Sequence, residues 1–326
     1  MSIKVHLYRE IVSNNPDGFT NLLDPGIEIT TGKTLPSPAK YEILVNPNPS
    51  LEWIEASSVL RAIVIPWAGI PDETRSVMAQ YPKITVHNLH HNAYNTAELG
   101  LALLLAAAKF LIPLDQALRK NDWRPRYQPQ KSILLRGKAA LILGFGAIGQ
   151  AICEYCSSLG MQVIATRKHL GEMESHAGIE VYPDDQIHDL LPKAEILFIC
   201  LPLTKETENL IDANELQLMP EGSILINIGR GAIVNQYALY DALKTQHLRA
   251  AGSDVWYNYP DSKDSRQKTP PADVPLGKLE NFVLSPHRGG MVEEVEQQRA
   301  SALAKLLNAA NRGEPIPNRV DLDAGY

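Results

Sequence analysis

The stretch AALILGFGAIG, residues 139–149, decides the fold class of this chain. Its first five residues are apolar and form the pattern of a buried strand. The glycines that follow are Gly144, Gly146 and Gly149, and they lead directly into a helical pattern. Glycines at this spacing allow a tight turn, close approach of the backbone to a pyrophosphate and close packing of helix on strand. Since the helix amino terminus offers free N–H groups to phosphates, the stretch predicts a nucleotide-binding βα unit.

The end of the next predicted strand indicates which dinucleotide is bound. Such a site usually carries an Asp or Glu about 20 residues beyond the glycines, where it accepts the adenosine ribose hydroxyls. This chain has Thr166, Arg167 and Lys168 there, with Arg167 lying 18 residues beyond Gly149. A carboxylate would repel a 2′-phosphate, whereas these cations attract it and arginine can hold it with paired hydrogen bonds. We expect NADP(H) to be preferred and NAD(H) to be possible; a solvated basic loop in an NAD enzyme is the alternative.

Short β-branched runs alternate with helical patterns on both sides of this unit, which is typical of parallel sheets covered by crossover helices. The predicted strands are Ile3–Tyr8, Ile27–Thr30, Tyr41–Val45, Arg61–Ile65, Ile84–Asn88, Ala139–Leu143, Gln162–Ala165, Ile196–Cys200, Ile224–Ile228, Ala250–Val255 and Phe282–Ser285. Helices are predicted after Pro71, from Ala97 to about Lys120, and at Ala147–Leu159, Ile187–Leu191, Asn214–Met219, Gln236–His247 and Val292–Asn311. The polar stretch Asp261–Pro275 is predicted to be an exposed loop. We therefore predict an α/β protein with two doubly wound parallel-sheet domains.

The composition limits the classes of partner. The chain has 326 residues, 44% of them hydrophobic, which is enough for two domains with their own cores. With 31 Lys and Arg against 37 Asp and Glu the net charge is −6, and the absence of a run of about five basic residues argues against a nucleic-acid partner. The longest apolar stretch, Leu99–Leu114, is shorter than the roughly 20 residues that span a bilayer. We expect no membrane partner and a small-molecule ligand.

The amino terminus and the cysteines favour a cytoplasmic location. The first ten residues, MSIKVHLYRE, alternate apolar and charged residues, whereas an export signal has an apolar run of about 7 to 15. Three cysteines, Cys153, Cys156 and Cys200, are too few and too clustered for a disulfide framework. The CxxC of Cys153 and Cys156 falls inside a predicted helix, and a zinc site would need a second pair of ligands. We predict that these thiols pack in the core and that no metal is bound.

Three further motifs lie at the carboxyl ends of predicted strands, where open α/β sheets bind ligands. They are NIGRG at residues 227–231, GSDVW at residues 252–256 and SPHRGG at residues 285–290. Together with the glycine loop and LPLT at residues 201–204, they resemble the D-isomer-specific 2-hydroxyacid dehydrogenases. The resemblance extends from about Val64 to the final helix and is weakest before that.

The resemblance implies a Rossmann cofactor domain, residues 99–289, inserted into a flavodoxin-like substrate domain made of residues 1–98 and 290–326. It implies hydride transfer between NADP(H) and a small 2-keto or 2-hydroxy acid of the D series, glyoxylate-like or hydroxypyruvate-like, in a cleft between the domains. Family members usually dimerise through the cofactor domain, so a homodimer is expected. The implied cofactor-binding residues are Gly144, Phe145, Gly146, Ala147, Ile148, Gly149, Thr166, Arg167, Lys168, Leu201, Pro202, Thr207, Ile228 and Asp254.

Two residues match the family's catalytic groups. Arg230 matches the arginine that binds the substrate carboxylate and polarises its keto oxygen, work that suits a permanently charged group with paired donors. His287 matches the general acid that protonates the carbonyl oxygen, since an imidazole titrates near neutral pH. The resemblance therefore implies that Arg230 holds the substrate while His287 delivers the proton.

A loop near the amino terminus matches the family's substrate loop. The N–H groups of Ala68 and Gly69 would bind the substrate carboxylate, and Trp67 would shape the pocket. Asn92 lies where the family's long interdomain helix starts and would face the cleft, with a capping or turn role as an equal alternative. The implied substrate-binding residues are Trp67, Ala68, Gly69, Asn92 and Arg230.

The match fails at one catalytic position. The family has a glutamate five positions after the aspartate of the Asp-Val pair, where it hydrogen-bonds the histidine and raises its pKa. Counted from Asp254, that position holds Tyr259. A neutral phenol can orient an imidazole but cannot stabilise the imidazolium by charge. We expect a lowered pKa of His287 and a reductase optimum moved towards acid pH, unless Asp261 or Asp264 takes the role.

The missing carboxylate leaves two other functions open. Formate dehydrogenases of the same superfamily have glutamine at this position, and formate oxidation removes no proton from the substrate; the cation pair of Arg167 and Lys168 argues against that alternative. The other alternative is a nucleotide-sensing, corepressor-like interaction protein without turnover. The presence of both Arg230 and His287 argues against it.

Overall fold

The computed structural model describes residues 2–9, 16–129, 131–168, 178–322 and 324. The chain divides into two compact units, which we name the terminal unit, Met1–Asn92 with Met291–Tyr326, and the central unit, Ala93–Gly290. Each unit contains one sheet, and all neighbouring strands within each sheet are parallel. The α/β class with two parallel sheets is confirmed.

The elements are numbered in chain order. The strands are β1 (Ile3–Leu7), β2 (Ile27–Thr31), β3 (Ile43–Val45), β4 (Ala62–Ile65), β5 (Thr85–Asn88), β6 (Ala139–Leu143), β7 (Gln162–Arg167), β8 (Glu180–Pro183), β9 (Ile196–Ile199), β10 (Ser223–Asn227), β11 (Leu248–Ser253) and β12 (Phe282–Leu284). The helices are α1 (Pro16–Thr20), α2 (Leu51–Ala56), α3 (Asp72–Met78), α4 (Ala93–Lys109), α5 (Leu111–Leu118), α6 (Ala147–Ser158), α7 (Ile187–Leu190), α8 (Ala213–Leu218), α9 (Gln236–Lys244) and α10 (Val295–Asn311).

The sheet of the terminal unit has the flavodoxin-like strand order β2-β1-β3-β4-β5. Every side chain of β3 and β4 is buried, because helices cover both faces of the sheet. Side chains on one face pack with α10, and those on the other face pack with α2 and α3. Both chain ends therefore contribute to one core.

The sheet of the central unit has the order β12-β11-β10-β9-β6-β7-β8. Chain order reverses between β6 and β9, the kind of switch point at which doubly wound sheets bind ligands beyond their strand ends. One face of this sheet packs with α4 and α6, and the other packs with α7, α8 and α9. The reversal lies directly beside the glycine loop that follows β6.

The helix predicted from Ala97 to about Lys120 is wrong as a single element. It is two helices, α4 and α5, bent by 67° at Phe110, whose backbone is left-handed with φ 51°. In one continuous helix Pro113 would leave the carbonyl of Lys109 without a donor and would clash with it. The break places Pro113 in the first turn of α5, where proline is tolerated. No single helix among the described residues is long and apolar enough to cross a membrane. Only α4 and α5 taken together, as a bent pair, reach that length and apolar composition.

Other differences are smaller. The strand predicted over Gln162–Ala165 continues to Arg167, so Thr166 lies inside β7. The edge strand β8 and the short helices α1 and α2 were not predicted, because each is too short to show a clear apolar period. The stretch Asp261–Pro275 contains neither helix nor strand.

Candidate active site

Six predicted motifs meet at one edge of the central sheet. Its strands are parallel, so their carboxyl ends point the same way and the loops that follow them are neighbours. The segments at this edge are Gly144–Gly149 after β6, Thr166–Lys168 at the end of β7, Leu201–Thr207 after β9, Ile228–Gly231 after β10, Asp254–Tyr259 after β11 and Ser285–Gly289 after β12.

Two glycines of the glycine loop are required by packing, and the third leaves open space. Gly144 has φ 96°, and a Cβ there would lie 2.9 Å from the carbonyl oxygen of Cys200. A Cβ on Gly149 would overlap the carbonyl group of Gly144. At Gly146, the N-cap of α6, no atom lies within 4 Å of an added Cβ, and no side chain caps the helix. This open, uncapped helix end fits a pyrophosphate group.

Phe145 and Ile228 belong to the core rather than to the surface of the site. Phe145 is 1% exposed, and its N–H donates to the carbonyl of Thr166 at 2.8 Å. The Ile228 side chain is 3% exposed and packs beside Gly100 of α4. The side chains of these two residues therefore support the loops, and their assignment to the cofactor site stays a prediction. The flanking Ala147 is exposed and Ile148 is half-buried.

The basic end of β7 is less uniformly cationic than the sequence suggests. Thr166 is buried and its carbonyl anchors the glycine loop. Arg167 is half-buried, and Lys168 is exposed and ion-paired with Glu206. The charge of Lys168 is thus partly balanced within the protein.

The loop after β9 is closed by its own threonines. Thr207 Oγ1 donates to the carbonyl of Pro202 at 2.7 Å and accepts the N–H of Thr204 at 2.8 Å. These bonds hold Leu201 and Pro202, both half-buried, at the sheet edge beside the glycine loop. Thr207 therefore acts on the shape of this loop.

Arg230 is exposed on a loop whose backbone is tightly held. A Cβ on Gly229 would lie 2.6 Å from a backbone oxygen of the loop after β9, and one on Gly231 would overlap the backbone after β11. Asn227 at the end of β10 donates from Nδ2 to the Arg230 carbonyl at 2.9 Å and accepts the Gly229 N–H at 3.1 Å. Arg230 Nη1 donates to the Gly229 carbonyl at 2.7 Å. Only glycine permits this packing on both sides of the arginine.

A buried carboxylate holds the loop that carries His287. Asp254, 2% exposed, accepts hydrogen bonds from the Ser285 hydroxyl at 2.6 Å and from the N–H groups of Arg288 and Gly289 at 2.7 and 2.8 Å. Three donors satisfy the carboxylate inside the protein. The Asp254 side chain therefore supports the histidine loop, and its assignment to the cofactor site stays a prediction.

His287 lies on this loop in a strained backbone conformation. Its φ is 57°, which is uncommon for a residue with a Cβ and is typical of functional sites. Its Nδ1 lies 2.8 Å from the hydroxyl oxygen of Tyr259, which also accepts the N–H of Trp256 at 3.1 Å. The structure thus places Tyr259 at the imidazole, whereas Asp261 is hydrogen-bonded by Ser262 and Ser265.

The surroundings of His287 disfavour its charged form. Although His287 is exposed, partial desolvation of its ring lowers its pKa below the usual value, Asp254 acts in the opposite direction, and the positive charge of Arg230 lowers the pKa further. The direction is the one expected from the sequence. Burial raises the pKa of Tyr259, so this phenol is neutral wherever the histidine titrates.

The expected substrate residues of the terminal unit form one group after β4 and β5. Asn88 Nδ2 donates to the Ala68 carbonyl at 2.7 Å, and the Leu89 N–H donates to the Trp67 carbonyl at 3.3 Å. The indole of Trp67 is exposed, and Gly69 is half-buried. Asn92 follows in the turn directly before α4.

Comparison with known proteins supports the motifs at the central edge. The model of the family "D-isomer specific 2-hydroxyacid dehydrogenase, NAD binding domain" matches residues 101–289. The chain belongs to this dehydrogenase family. The matched range includes the glycine loop, Arg230 and His287, whereas the group around Trp67 lies outside it.

Individual relatives carry the names of enzymes of this family. A glyoxylate reductase of Thermococcus litoralis is 36% identical over 70% of this chain and 67% of its own length. A D-3-phosphoglycerate dehydrogenase of Methanocaldococcus jannaschii is 31% identical over 79% of this chain. The match spans about half the length of that relative, 47%. A D-isomer specific 2-hydroxyacid dehydrogenase of Xanthobacter autotrophicus Py2 has the same fold, with a TM-score of 0.79 at 21% identity and full coverage of both chains.

The supporting roles of three residues were not predicted: Asn88, Asn227 and Ser285 hold the loops that carry candidate site residues. Each ends or follows a strand, and an Asn or Ser at such a position is the only local signal.

Cys153 and Cys156 are buried in α6, where burial raises their pKa to about 12. Both thiols therefore pack in the core as predicted. The described part of the chain contains no group of three His, Cys, Asp or Glu side chains that could hold a metal.

Proposed function

We propose that this dehydrogenase is an NADP(H)-preferring reductase of small 2-keto acids that forms D-2-hydroxy acids, glyoxylate-like or hydroxypyruvate-like. One observation carries the proposal: Arg230, after β10, and His287, after β12, lie at the sheet edge that also carries the uncapped glycine loop, and the charge of Arg230 acts on the imidazole. A fixed cation beside a titrating imidazole suits the binding of a keto acid and the protonation of its oxygen.

The roles follow from chemistry. Arg230 binds the substrate carboxylate and polarises the keto oxygen, since a guanidinium has five N–H donors and only one bond to the protein is described. His287, in its protonated form, donates a proton to that oxygen during reduction and accepts it back during oxidation. We propose that the N–H groups of Ala68 and Gly69 bind the carboxylate as well, with Trp67 and Asn92 shaping the pocket.

The proposed cofactor residues fit a dinucleotide. Gly146 and the first turn of α6 would hold the pyrophosphate, and Arg167 with Lys168 would hold a 2′-phosphate. When bound, the nicotinamide ring supplies or accepts the hydride. The Xanthobacter structure was solved with NADPH, which supports a nicotinamide cofactor; the proposed preference for NADP(H) rests on Arg167 and Lys168. Leu201 and Pro202, beside the glycine loop, complete the proposed cofactor site.

A substrate panel tests the function. Oxidation of NADPH is followed with glyoxylate, hydroxypyruvate, pyruvate and phenylpyruvate, and reduction of NADP⁺ is followed with formate. We expect turnover with at least one keto acid, lost in Arg230→Gln and His287→Asn. Turnover with formate alone would favour the formate dehydrogenase alternative, which the neutral Tyr259 suits. Tight NADPH binding without any turnover would favour the corepressor-like alternative.

We further propose that the protein is a homodimer through its central unit. Helix α5 has no buried residue, and large apolar side chains are exposed along it and the 3₁₀ segment that follows: Leu111, Ile112, Leu114, Leu118, Trp123 and Tyr127. An apolar surface of this kind marks an association site. Light scattering of wild type and Leu111→Asp tests this: a wild-type monomer would contradict the proposal.

The cytoplasmic location stays a prediction from the cysteine pattern.

A further inference from the structure

The hydroxyl group of Tyr259 lies between two nitrogens of the central unit. It accepts the backbone N–H of Trp256 at 3.1 Å, and its oxygen is 2.8 Å from His287 Nδ1. The two rings are tilted by 54° with centroids 5.6 Å apart, so the contact is made through the hydroxyl and not by stacking. Tyr259 is therefore anchored by the protein backbone at the point where it meets the imidazole.

A count of donors and acceptors limits what this hydroxyl can do. A phenol has one hydrogen and two lone pairs, and the Trp256 N–H occupies one lone pair. The other lone pair can accept Nδ1–H, or the hydrogen can be donated to a bare Nδ1. In both cases Nδ1 is engaged, so Nε2 is the nitrogen left to exchange a proton.

The charges around the imidazole differ from those around one paired with a carboxylate. The described groups that act on His287 are Asp254 behind the loop, Arg230 on the loop after β10, and the neutral Tyr259. The carboxylate oxygens of Asp254 accept hydrogen bonds from Ser285 and from two backbone N–H groups, which lie outside the imidazole ring. The direct partner of His287 is thus uncharged.

We propose that Tyr259 is the positioning residue of this enzyme: anchored by Trp256, it holds Nδ1 of His287 as an uncharged partner and presents Nε2 to the substrate. The proposal rests on the proposed function. Its consequence is an enzyme that reduces keto acids on the acid side of neutrality, because the imidazolium lacks a carboxylate partner and loses its proton as pH rises through a lowered pKa.

Three variants separate orientation from charge. Tyr259→Phe removes the hydroxyl, and Tyr259→Glu introduces a carboxylate. Tyr257→Phe is the matched control: Tyr257 lies in the same loop, but its hydroxyl donates to the Val234 carbonyl at 2.8 Å. The titration of the His287 imidazole is measured by NMR in each purified variant, with His287→Asn identifying the resonance, and kcat/KM for keto acid reduction is measured against pH.

We expect Tyr259→Glu to raise the pKa of His287 by about 1 to 3 units and to move the alkaline limb of kcat/KM up by the same amount. Tyr259→Phe should lower kcat roughly 10- to 100-fold without weakening NADPH binding, and Tyr257→Phe should change neither quantity. An unchanged titration in Tyr259→Glu, or wild-type kcat in Tyr259→Phe, would overturn the proposal. Because the NMR titration needs no turnover, it decides the role of Tyr259 even if the substrate panel is silent.

Discussion

Arg230 and Lys168 lie at the same edge of the central sheet, and they are held in different ways. Arg230 stands between two glycines that pack against neighbouring backbone, and Asn227 hydrogen-bonds the backbone on both sides of it. Lys168 lies at the surface after β7, where its ammonium group is ion-paired with Glu206. One cation is positioned by the fold, and the other by an exposed ion pair.

This difference indicates how strongly each cation depends on its surroundings. Because close packing fixes the backbone of the Arg230 loop, its guanidinium group is already in place before a ligand binds, and such a preorganised charge interacts strongly with the ligand. An exposed ion pair contributes about 0 to 1 kcal/mol and is easily exchanged for another partner. We therefore expect the effects of substitution to decrease from the Arg230 loop to the end of β7.

The largest effect is expected at Arg230 itself. In Arg230→Gln, kcat/KM for keto acid reduction should fall about 100- to 1,000-fold, because the amide can neither pair with the carboxylate nor stabilise charge on the keto oxygen. Arg230→Lys should recover only part of this loss, since an ammonium group lacks the paired planar donors. Steady-state kinetics measure both variants; wild-type kinetics in Arg230→Gln would remove Arg230 from the site.

Two glycines at this edge, Gly231 and Gly146, are expected to respond differently to substitution by alanine. A Cβ on Gly231 overlaps the backbone of Trp256, so Gly231→Ala should destabilise the protein by about 1 to 3 kcal/mol and displace Arg230. Gly146→Ala meets no atom of the protein and should leave stability unchanged while weakening NADPH binding. Chemical denaturation and cofactor titration measure the pair; the packing argument fails if Gly146→Ala is the less stable variant.

A smaller effect is expected at Arg167. Arg167→Asp should lower the ratio of kcat/KM for NADPH to that for NADH about 10- to 100-fold, because charge-assisted hydrogen bonds to a 2′-phosphate are replaced by repulsion. Kinetics with both cofactors at constant ionic strength measure the ratio. An unchanged ratio would mean that Arg167 lies on a solvated loop of an enzyme without this preference.

The smallest effect is expected at Lys168. Lys168→Ala should change the same cofactor ratio less than about fivefold, because the lysine exchanges one exposed partner for another. Glu206→Gln is the matched variant: releasing the lysine should raise NADPH affinity slightly, and more at low salt. A larger effect for Lys168→Ala than for Arg167→Asp would reverse the proposed order of the two cations.

The elements that local patterns predicted well are those with strong periodicity. The strands that precede the glycine loop, the NIGRG motif and the SPHRGG motif were placed to within a few residues. The helix from Ala97 failed because one left-handed residue, Phe110, interrupts an apolar pattern that is otherwise continuous. The ion pair of Lys168 and Glu206 joins residues 38 positions apart, a distance over which sequence pattern carries no information.

Fold class, family and the identity of the main charged groups followed from the sequence, because each depends on residue type and on spacing within short motifs and elements along the chain. The tertiary structure decided which side chains face a ligand. The side chains of Phe145 and Ile228 are buried in the core, and the Asp254 carboxylate accepts its hydrogen bonds from the protein. The hydroxyl of Tyr259 contacts His287, 28 positions away. The physical reason is that parallel strands bring loops that are distant in the chain to one edge of the sheet. The contact of Tyr259 with His287 depends on the pairing of β11 with β12, which the sequence of either loop alone does not determine.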